Sequence, residues 1–318
     1  MDSLANKRII RDIKLCNTSY KEEFEKLNIH IHYDPENIKF CYILIYGPEM
    51  KYDCFADKEI ETPYFGGFYL FKLKFPDNYP HSPPLMGFRT SFSDWRCHPN
   101  FYERSMGGSE ENLGGKVCLS MINTFGSEDW TPSRRISEIF IQIQERFDTV
   151  PIRHEPGYER VKNDDEKNIN YNKIIEYGNY KYAMLEILKN PGEDFIPLIP
   201  MMQELYVSNF DKVYHKMVNF RNKNQGSSVS FSGAGAVRPM KYNINMDSVI
   251  TDAIKMYKSI TGNNFIEPSI TTVDVKKEDT KPNPDTYNIN DIYTDNDNVK
   301  WILREDKDKN KKWYKKIE

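Results

Sequence analysis

The sequence predicts an α+β fold, in the order helix, strands, helices. Three observations carry this. Residues 3–16 set Leu4, Ile9, Ile13 and Cys16 near one face of a helical period. Four later segments carry strand patterning and are joined by tight connections, which favours an antiparallel meander. Beyond Trp130, apolar residues recur at helical spacing through to about residue 220.

Each element has its own justification. Ser3 is a suitable cap for the first helix. Lys7, Arg8, Arg11 and Lys14 cover the rest of its surface, either as a solvated face or as a docking face. IHIHYD at 29–34 alternates as a strand does. KFCYILIYG at 39–47 is apolar on both sides, so both faces should be covered. MKYDCFADKEIE then reads as a surface insertion between the second and third strands. FYLFKLKFP at 68–76 alternates Tyr69, Phe71, Leu73 and Phe75 against Lys72 and Lys74, a half-exposed strand that Pro76 ends by removing a donor. LMGFRT at 85–90 is a fourth, shorter strand. A second helix is expected from Trp130, with Thr131 as cap, Pro132 in the first turn, and Ile136, Ile139, Ile143 and Phe147 as its core stripe. More helix follows over 166–220, broken at Pro191-Gly192. NKNQGSSVSFSGAGAV at 222–237 is Gly- and Ser-rich and reads as a flexible linker. One more helix is expected at 241–260. From Gly262 to Asn298 the chain is rich in Asn, Asp and Pro, a composition that predicts poor order. The lysines around Trp313 and Tyr314 read as a solvated tail or as a binding element.

Composition sets limits. In 318 residues, 39% are hydrophobic and 14% aromatic, enough for a packed core. A mean hydropathy of −0.71 shows that polar segments dilute that core. A net charge of −3 argues against a nucleic-acid binder. No apolar run is long enough to span a bilayer, and MDSLANKRIIRD lacks the apolar stretch of a secretion signal, so no membrane partner is expected. Cys16, Cys41, Cys54, Cys97 and Cys118 form no CxxC pair, which disfavours a disulfide framework and a metal site and fits a reducing compartment.

The chemistry-bearing residues are Cys118 and Asn100. Cys118, in GGKVCLSM, follows Asn100 of His98-Pro99-Asn100 by 18 positions and precedes Trp130 by 12. A thiol can hold an acyl group, and a neutral amide can donate to the oxyanion formed when an amine attacks that thioester. Asn100 could instead support the loop that carries Cys118, or simply make the turn after Pro99. His98 is read as bonding local backbone rather than acting as a base.

The blocks around this pair resemble the ubiquitin-conjugating enzyme family. They run in the family's order: TPYFGGFYLFKLKFP at 62–76, NYPHSPP at 78–84, HPNFYE at 98–103, GGKVCLSM at 114–121 and DWTPSRRIS at 129–137. EPGYER at 155–160 and YKYAMLEILKNP at 180–191 resemble the large divergent branch, which holds the Z-type enzyme and the hybrid conjugating enzyme/ligases. The resemblance implies the ubiquitin-conjugating fold: an N-terminal helix, a four-stranded antiparallel meander, a central helix and a C-terminal helical extension. Residues 1–160 would form the core and 161–221 a helical extension packed on it. A flexible linker would follow at 222–240, then a partly ordered tail at 241–318.

The resemblance also implies roles. Cys118 would carry ubiquitin or a ubiquitin-like modifier as a thioester and pass it to a lysine amine or a ligase cysteine. No cofactor is bound, because ATP is used upstream by the activating enzyme. Lys7, Arg8, Arg11, Lys14, His81, Ser82, Thr131 and Ser133 would dock the activating enzyme or a ligase. His81 departs from the large apolar residue that many partners of RING-type ligases carry there. Trp130 would pack under the catalytic loop, with His98 and Pro99 structural. Shorter members have an acidic gate residue after the Trp. Counting to that place lands on His154, with Glu155 next, and either would orient the lysine or pack in the loop against Tyr158. FYERSMGGSEENLGG at 101–115 is longer than the family's segment and would form a flap beside the site. The expected location is cytosol or nucleus. A non-catalytic ubiquitin-binding module and a cysteine hydrolase using His98 or His154 are the competing readings.

Overall fold

The structure, a computed structural model, describes residues 4–34, 36–103, 113–126, 129–266, 292–294, 300–305 and 311–315. Two compact units divide the chain, Met1–Asn264 and Phe265–Glu318. In the first, α1 (Leu4–Asn17) and α2 (Lys21–Lys26) precede β1 (Ile29–Tyr33), β2 (Phe40–Tyr46), β3 (Met50–Asp53), β4 (Lys58–Glu61), β5 (Phe68–Lys74), β6 (Leu85–Phe88) and β7 (Gly115–Lys116). The main sheet runs β1-β2-β5-β6-β7 and is antiparallel throughout. It is thus the expected meander with a two-residue fifth strand. Ser3 lies outside the described residues. α1 buries Ala5, Ile9, Asp12 and Cys16, whereas Leu4, expected on the core face, is 85% exposed at the helix start.

Register assigns the two sheet faces. Ile43 opposite Phe71 and Ile45 opposite Tyr69 define the inner face, on which Phe147 packs against Tyr69 at 4.5 Å between ring centroids. Tyr42 opposite Lys72, Leu44 opposite Leu70 and Tyr46 opposite Phe68 define the outer face. That face is also closed: Leu44, Phe68 and Leu70 are 0% exposed. A sheet buried on both sides explains the unbroken apolar run of β2. It also corrects the half-exposed reading of β5. Lys72 is buried, its ammonium donating to Asp194 at 2.7 Å with the Phe40 ring 4.8 Å away. A buried ammonium needs such a partner, and nothing in the local alternation announces a carboxylate this far along the chain.

The insertion between the second and third strands is the β3–β4 hairpin, paired from Met50–Glu61 to Asp53–Lys58. Buried Asp53 pins its end by accepting from Arg153 at 3.0 Å, while Tyr52 and Phe55 stay exposed. The central helix also differs from expectation. α3 spans Ile136–Gln144, beginning well after Trp130. Thr131 and Ser133 hydroxyls bond each other instead of capping amides, and the carbonyls of Pro132 and Arg134 accept from Arg8 of α1.

The extension begins with α4 (Glu166–Gly178), a π-helical stretch Asn179–Glu186 and α5 (Ile187–Lys189), and continues as α6 (Ile199–Asn224). Its Phe195 packs on Tyr42 of the outer sheet face at 5.5 Å. The segment expected to be a flexible linker at 222–240 is ordered instead. It forms the end of α6 and a hairpin of β8 (Ser228–Phe231) and β9 (Met240–Asn243). Apolar residues hidden in the Gly/Ser composition explain the difference: Val229, Phe231, Ala234, Val237 and Met240 are buried, and Phe231 stacks on Tyr171 at 4.7 Å. α7 (Met246–Thr261) follows, capped by Asn245. In the second unit, β10 (Ile292–Thr294), β11 (Lys300–Glu305) and β12 (Lys311–Lys315) form an antiparallel sheet where a poorly ordered stretch and a solvated tail were expected. Residues 267–291 lie outside the described residues. Among the described residues no helix is long and apolar enough to cross a membrane.

Gly178 shows how tightly the extension meets the core. A Cβ there would lie 2.1 Å from the Trp95 indole nitrogen. Gly178→Ala should therefore overpack this contact and cost about 1–3 kcal/mol. Thermal unfolding should register a lower midpoint, and an unchanged midpoint would contradict the packing described.

Candidate active site

The site begins with a buried arginine. Arg96 donates to the His98 carbonyl at 3.0 Å, to the Pro99 carbonyl at 2.7 Å and to Glu103 at 2.9 Å, so one guanidinium fixes both carbonyls that precede Asn100. The Tyr102 ring lies 3.7 Å from the guanidinium. His98 is fully buried, and its Nδ1 accepts from the Asn100 amide at 3.0 Å. Burial, with His154 and the nearby arginines, holds its pKa well below the usual histidine range. It is a neutral hydrogen-bond acceptor for its own loop.

The His98–Phe101 bend then pairs with the segment that carries the thiol. Tyr102 donates to the Lys116 carbonyl and Cys118 donates to the Asn100 carbonyl, each at 2.9 Å. Gly115 permits this approach, since a Cβ there would sit 1.8 Å from the Tyr102 carbonyl. Asn100 and Cys118 are therefore direct backbone neighbours across a two-stranded seam. Among the described residues the buried Asn100 Oδ1 has no hydrogen-bond partner. Cys118 leaves 6% of its surface open, and its thiol donates to the Thr124 carbonyl at 3.4 Å. Burial pushes the thiol's pKa up, opposed by Lys116, Arg96 and Arg146. Thr124, which the sequence did not single out, staples the loop: its hydroxyl accepts from the Leu119 amide at 2.8 Å and lies 2.8 Å from the Val117 carbonyl. Of the insertion at 101–115, residues 104–112 lie outside the described residues.

The other wall follows α3. Arg146 can only donate, so His154 Nδ1 accepts from it at 2.7 Å and His154 Nε2 donates to Asp148 at 2.8 Å. The His154 ring lies 4.9 Å from the His98 ring, which joins this chain of polar groups to the Asn100 loop. Both His154 and Asp148 remain partly exposed. Glu155, the alternative gate residue, does not serve here. It is buried and accepts from the Ala236 amide at 2.7 Å. The acidic residue beside His154 is instead Asp148, which precedes it in the chain; a count from Trp130 alone passes over it. Among the described hydrogen bonds, neither His98 nor His154 engages the thiol, so no thiol–imidazole pair of the hydrolase kind is formed.

The expected docking residues divide. Lys7, Arg11, Lys14, His81, Thr131 and Ser133 are exposed. Arg8 is committed internally, to Asp12 at 2.9 Å as well as to the two carbonyls after Thr131. Ser82 accepts from Asn78 at 2.7 Å. Trp130 is buried and donates from its indole to the Pro80 carbonyl at 2.8 Å, while its amide donates to Asn123 at 2.9 Å. It therefore ties the Tyr79–Pro80 turn to the segment following Cys118. The described residues contain no cluster of His, Cys, Asp or Glu arranged to hold a metal ion.

Residues 49–177 match the sequence model of the ubiquitin-conjugating enzyme family. This segment is similar to that family. Ubiquitin-conjugating enzyme E2 Z of Xenopus tropicalis is 30% identical over 179 residues, which is 56% of this chain and 50% of that protein. The probable ubiquitin-conjugating enzyme protein 17 of Caenorhabditis elegans is 33% identical over 180 residues, 54% of this chain and 22% of that one. Human BIRC6, a dual E2 ubiquitin-conjugating enzyme/E3 ubiquitin-protein ligase, is 30% identical over 181 residues, 54% of this chain and 3% of BIRC6. The ubiquitin-conjugating domain is thus similar to the divergent branch, and the chain spans half the length of the Xenopus relative and less of the other two.

The direction of the thiol's pKa gives a test. Cys118 lies above the ordinary value of 9.0, so its thiolate fraction should still be climbing at that pH. Alkylation of Cys118 by iodoacetamide, followed by peptide mass spectrometry, should rise about tenfold per pH unit from neutrality toward pH 9. A plateau at or below neutral pH would contradict the burial described.

Proposed function

We propose that the chain is a ubiquitin-conjugating enzyme that accepts ubiquitin or a ubiquitin-like protein on Cys118 and transfers it to a lysine amine or a ligase cysteine. The observation that supports the reading is the hydrogen bond from the Cys118 amide to the Asn100 carbonyl, which makes the two residues backbone neighbours. In loading, the Cys118 thiolate attacks the thioester carbonyl held by an activating enzyme, and that enzyme's cysteine leaves as thiolate. ATP is consumed upstream, so this chain needs no cofactor. In discharge, the lysine nitrogen attacks the Cys118 thioester, the carbonyl oxygen takes up charge, and Asn100 donates to it. The C–S bond then breaks, and the amine's proton passes to solvent or to Asp148. Asp148, backed by His154, receives the incoming ammonium, which gives one proton to solvent before its nitrogen attacks. Lys7, Arg11, Lys14, His81, Thr131 and Ser133 offer an exposed surface to the activating enzyme or a ligase. Free thiols suit a reducing compartment, cytosol or nucleus.

A raised thiol pKa is compatible with this chemistry, because exchange between thioesters needs no strongly activated nucleophile. A hydrolase would need a base on the sulfur, which neither histidine supplies. A non-catalytic ubiquitin-binding module is the remaining alternative.

Purified protein incubated with ATP, ubiquitin and a panel of activating enzymes should form an adduct that thiol reductant removes. Cys118→Ser should give a reductant-resistant oxyester, and Cys118→Ala no adduct. Ubiquitin binding without an adduct under every activating enzyme would favour the binding module. Asp148→Asn should slow discharge of the loaded thioester to free lysine by about 100-fold or more while leaving loading intact, as for the loss of a positioned proton acceptor. Equal discharge rates would remove Asp148 from the reaction.

A further inference from the structure

The turn between β8 and β9 reaches both walls of the Cys118 site. On one wall, Arg238 approaches Glu103 Oε1 at 3.4 Å, while Glu103 Oε2 accepts from Arg96. The Met240 sulfur accepts from the Arg96 amide at 3.5 Å. On the other wall, Glu155, the residue after His154, accepts from the Ala236 amide. Residues 236–240 therefore span from the loop that presents Asn100 to the loop that presents His154. We propose that this turn is a built-in latch that positions the acyl-transfer site, with Arg238 as its positioning residue. The proposal rests on the reading of Cys118 and Asn100 given above.

One carboxylate transmits the effect. Glu103 is 2% exposed and Arg96 1%, so their pair already balances in charge. A second arginine is not needed for neutrality. Arg238 places its guanidinium 3.4 Å from the other oxygen, an ion-pair contact without a hydrogen bond, which biases the carboxylate's orientation. The Arg96 fork then holds its plane, and with it the His98 and Pro99 carbonyls that aim Asn100. Arg238 is anchored in turn by donating to the Ser93 carbonyl. The approach to Glu155 is equally specific. Gly235 adopts φ +51°, and a Cβ there would lie 2.0 Å from the Glu155 carboxylate. Only glycine lets the Ala236 amide come so close. Val237 and Ala234, 1% and 3% exposed, keep the turn seated.

Two full-length variants test this without touching a residue assigned to the chemistry. Arg238→Met loosens Glu103, and Gly235→Ala pushes the turn away from Glu155. Each should lower kcat for discharge of loaded Cys118 to free lysine by about tenfold, because small displacements of reacting groups carry costs of this order. KM for lysine should stay close to wild type in both variants, and so should the melting temperature of Arg238→Met; Gly235→Ala, whose Cβ would lie 2.0 Å from Glu155, should also melt lower. Arg238→Lys, which keeps the charge, should recover part of the rate. Hydrogen exchange at the Cys118 amide, bonded to the Asn100 carbonyl, should quicken in both damaging variants. Unchanged discharge in both would overturn the proposal, as would a loss in Arg238→Met that tracks a lowered melting temperature. If wild-type protein forms no thioester, the functional reading fails separately, and the exchange rate decides alone: no change at Cys118 in either variant overturns the latch.

Discussion

The buried pair of Arg96 and Glu103 is the constraint on which the site depends. At 1% and 2% exposure, neither charge could stay inside without the other, and removing one partner of such a pair costs about 3–5 kcal/mol. The arginine also donates to the two carbonyls before Asn100, and its own carbonyl accepts from the Tyr171 hydroxyl of α4 at 3.1 Å. One ion pair thus connects the active loop, the helical extension and the hairpin beyond it. The bend that presents Asn100 is shaped by parts of the chain far from it in sequence.

Around Cys118 the charges are arranged against burial rather than for strong activation. Lys116, Arg96 and Arg146 favour the thiolate, yet desolvation outweighs them. Each histidine nearby is occupied elsewhere, His98 by the Asn100 amide and His154 by Arg146 and Asp148. A thiol in such surroundings suits a carrier whose acyl group arrives already activated. It does not suit a nucleophile that must attack an amide unaided.

Much of the fold was legible because its signals are local. Period and turn chemistry mark α1, the strands and the extension, and the order of short motifs marks the pairing of Asn100 with Cys118. The features that escaped depend on distant contacts. Lys72 looked solvent-facing because strand alternation says nothing of Asp194. Thr131 looked like a helix cap because the hold of Arg8 on the Pro132 and Arg134 carbonyls leaves no trace in sequence. Residues 222–240 looked like a linker because glycine and serine outnumber the few apolar side chains that seat them. Arg146 and Asp148 sit just past α3, where a count from Trp130 to the family's gate position does not land.

The closed outer face of the sheet has one more consequence. Tyr42, Leu44, Tyr46, Phe68 and Leu70 would be laid bare if the chain were cut after Arg160, an apolar expanse that water does not tolerate on a free monomer. The sheet-bearing core is therefore not separable from its helical extension. That side of the sheet is already occupied, by Phe195 against Tyr42 and by Asp194 against Lys72.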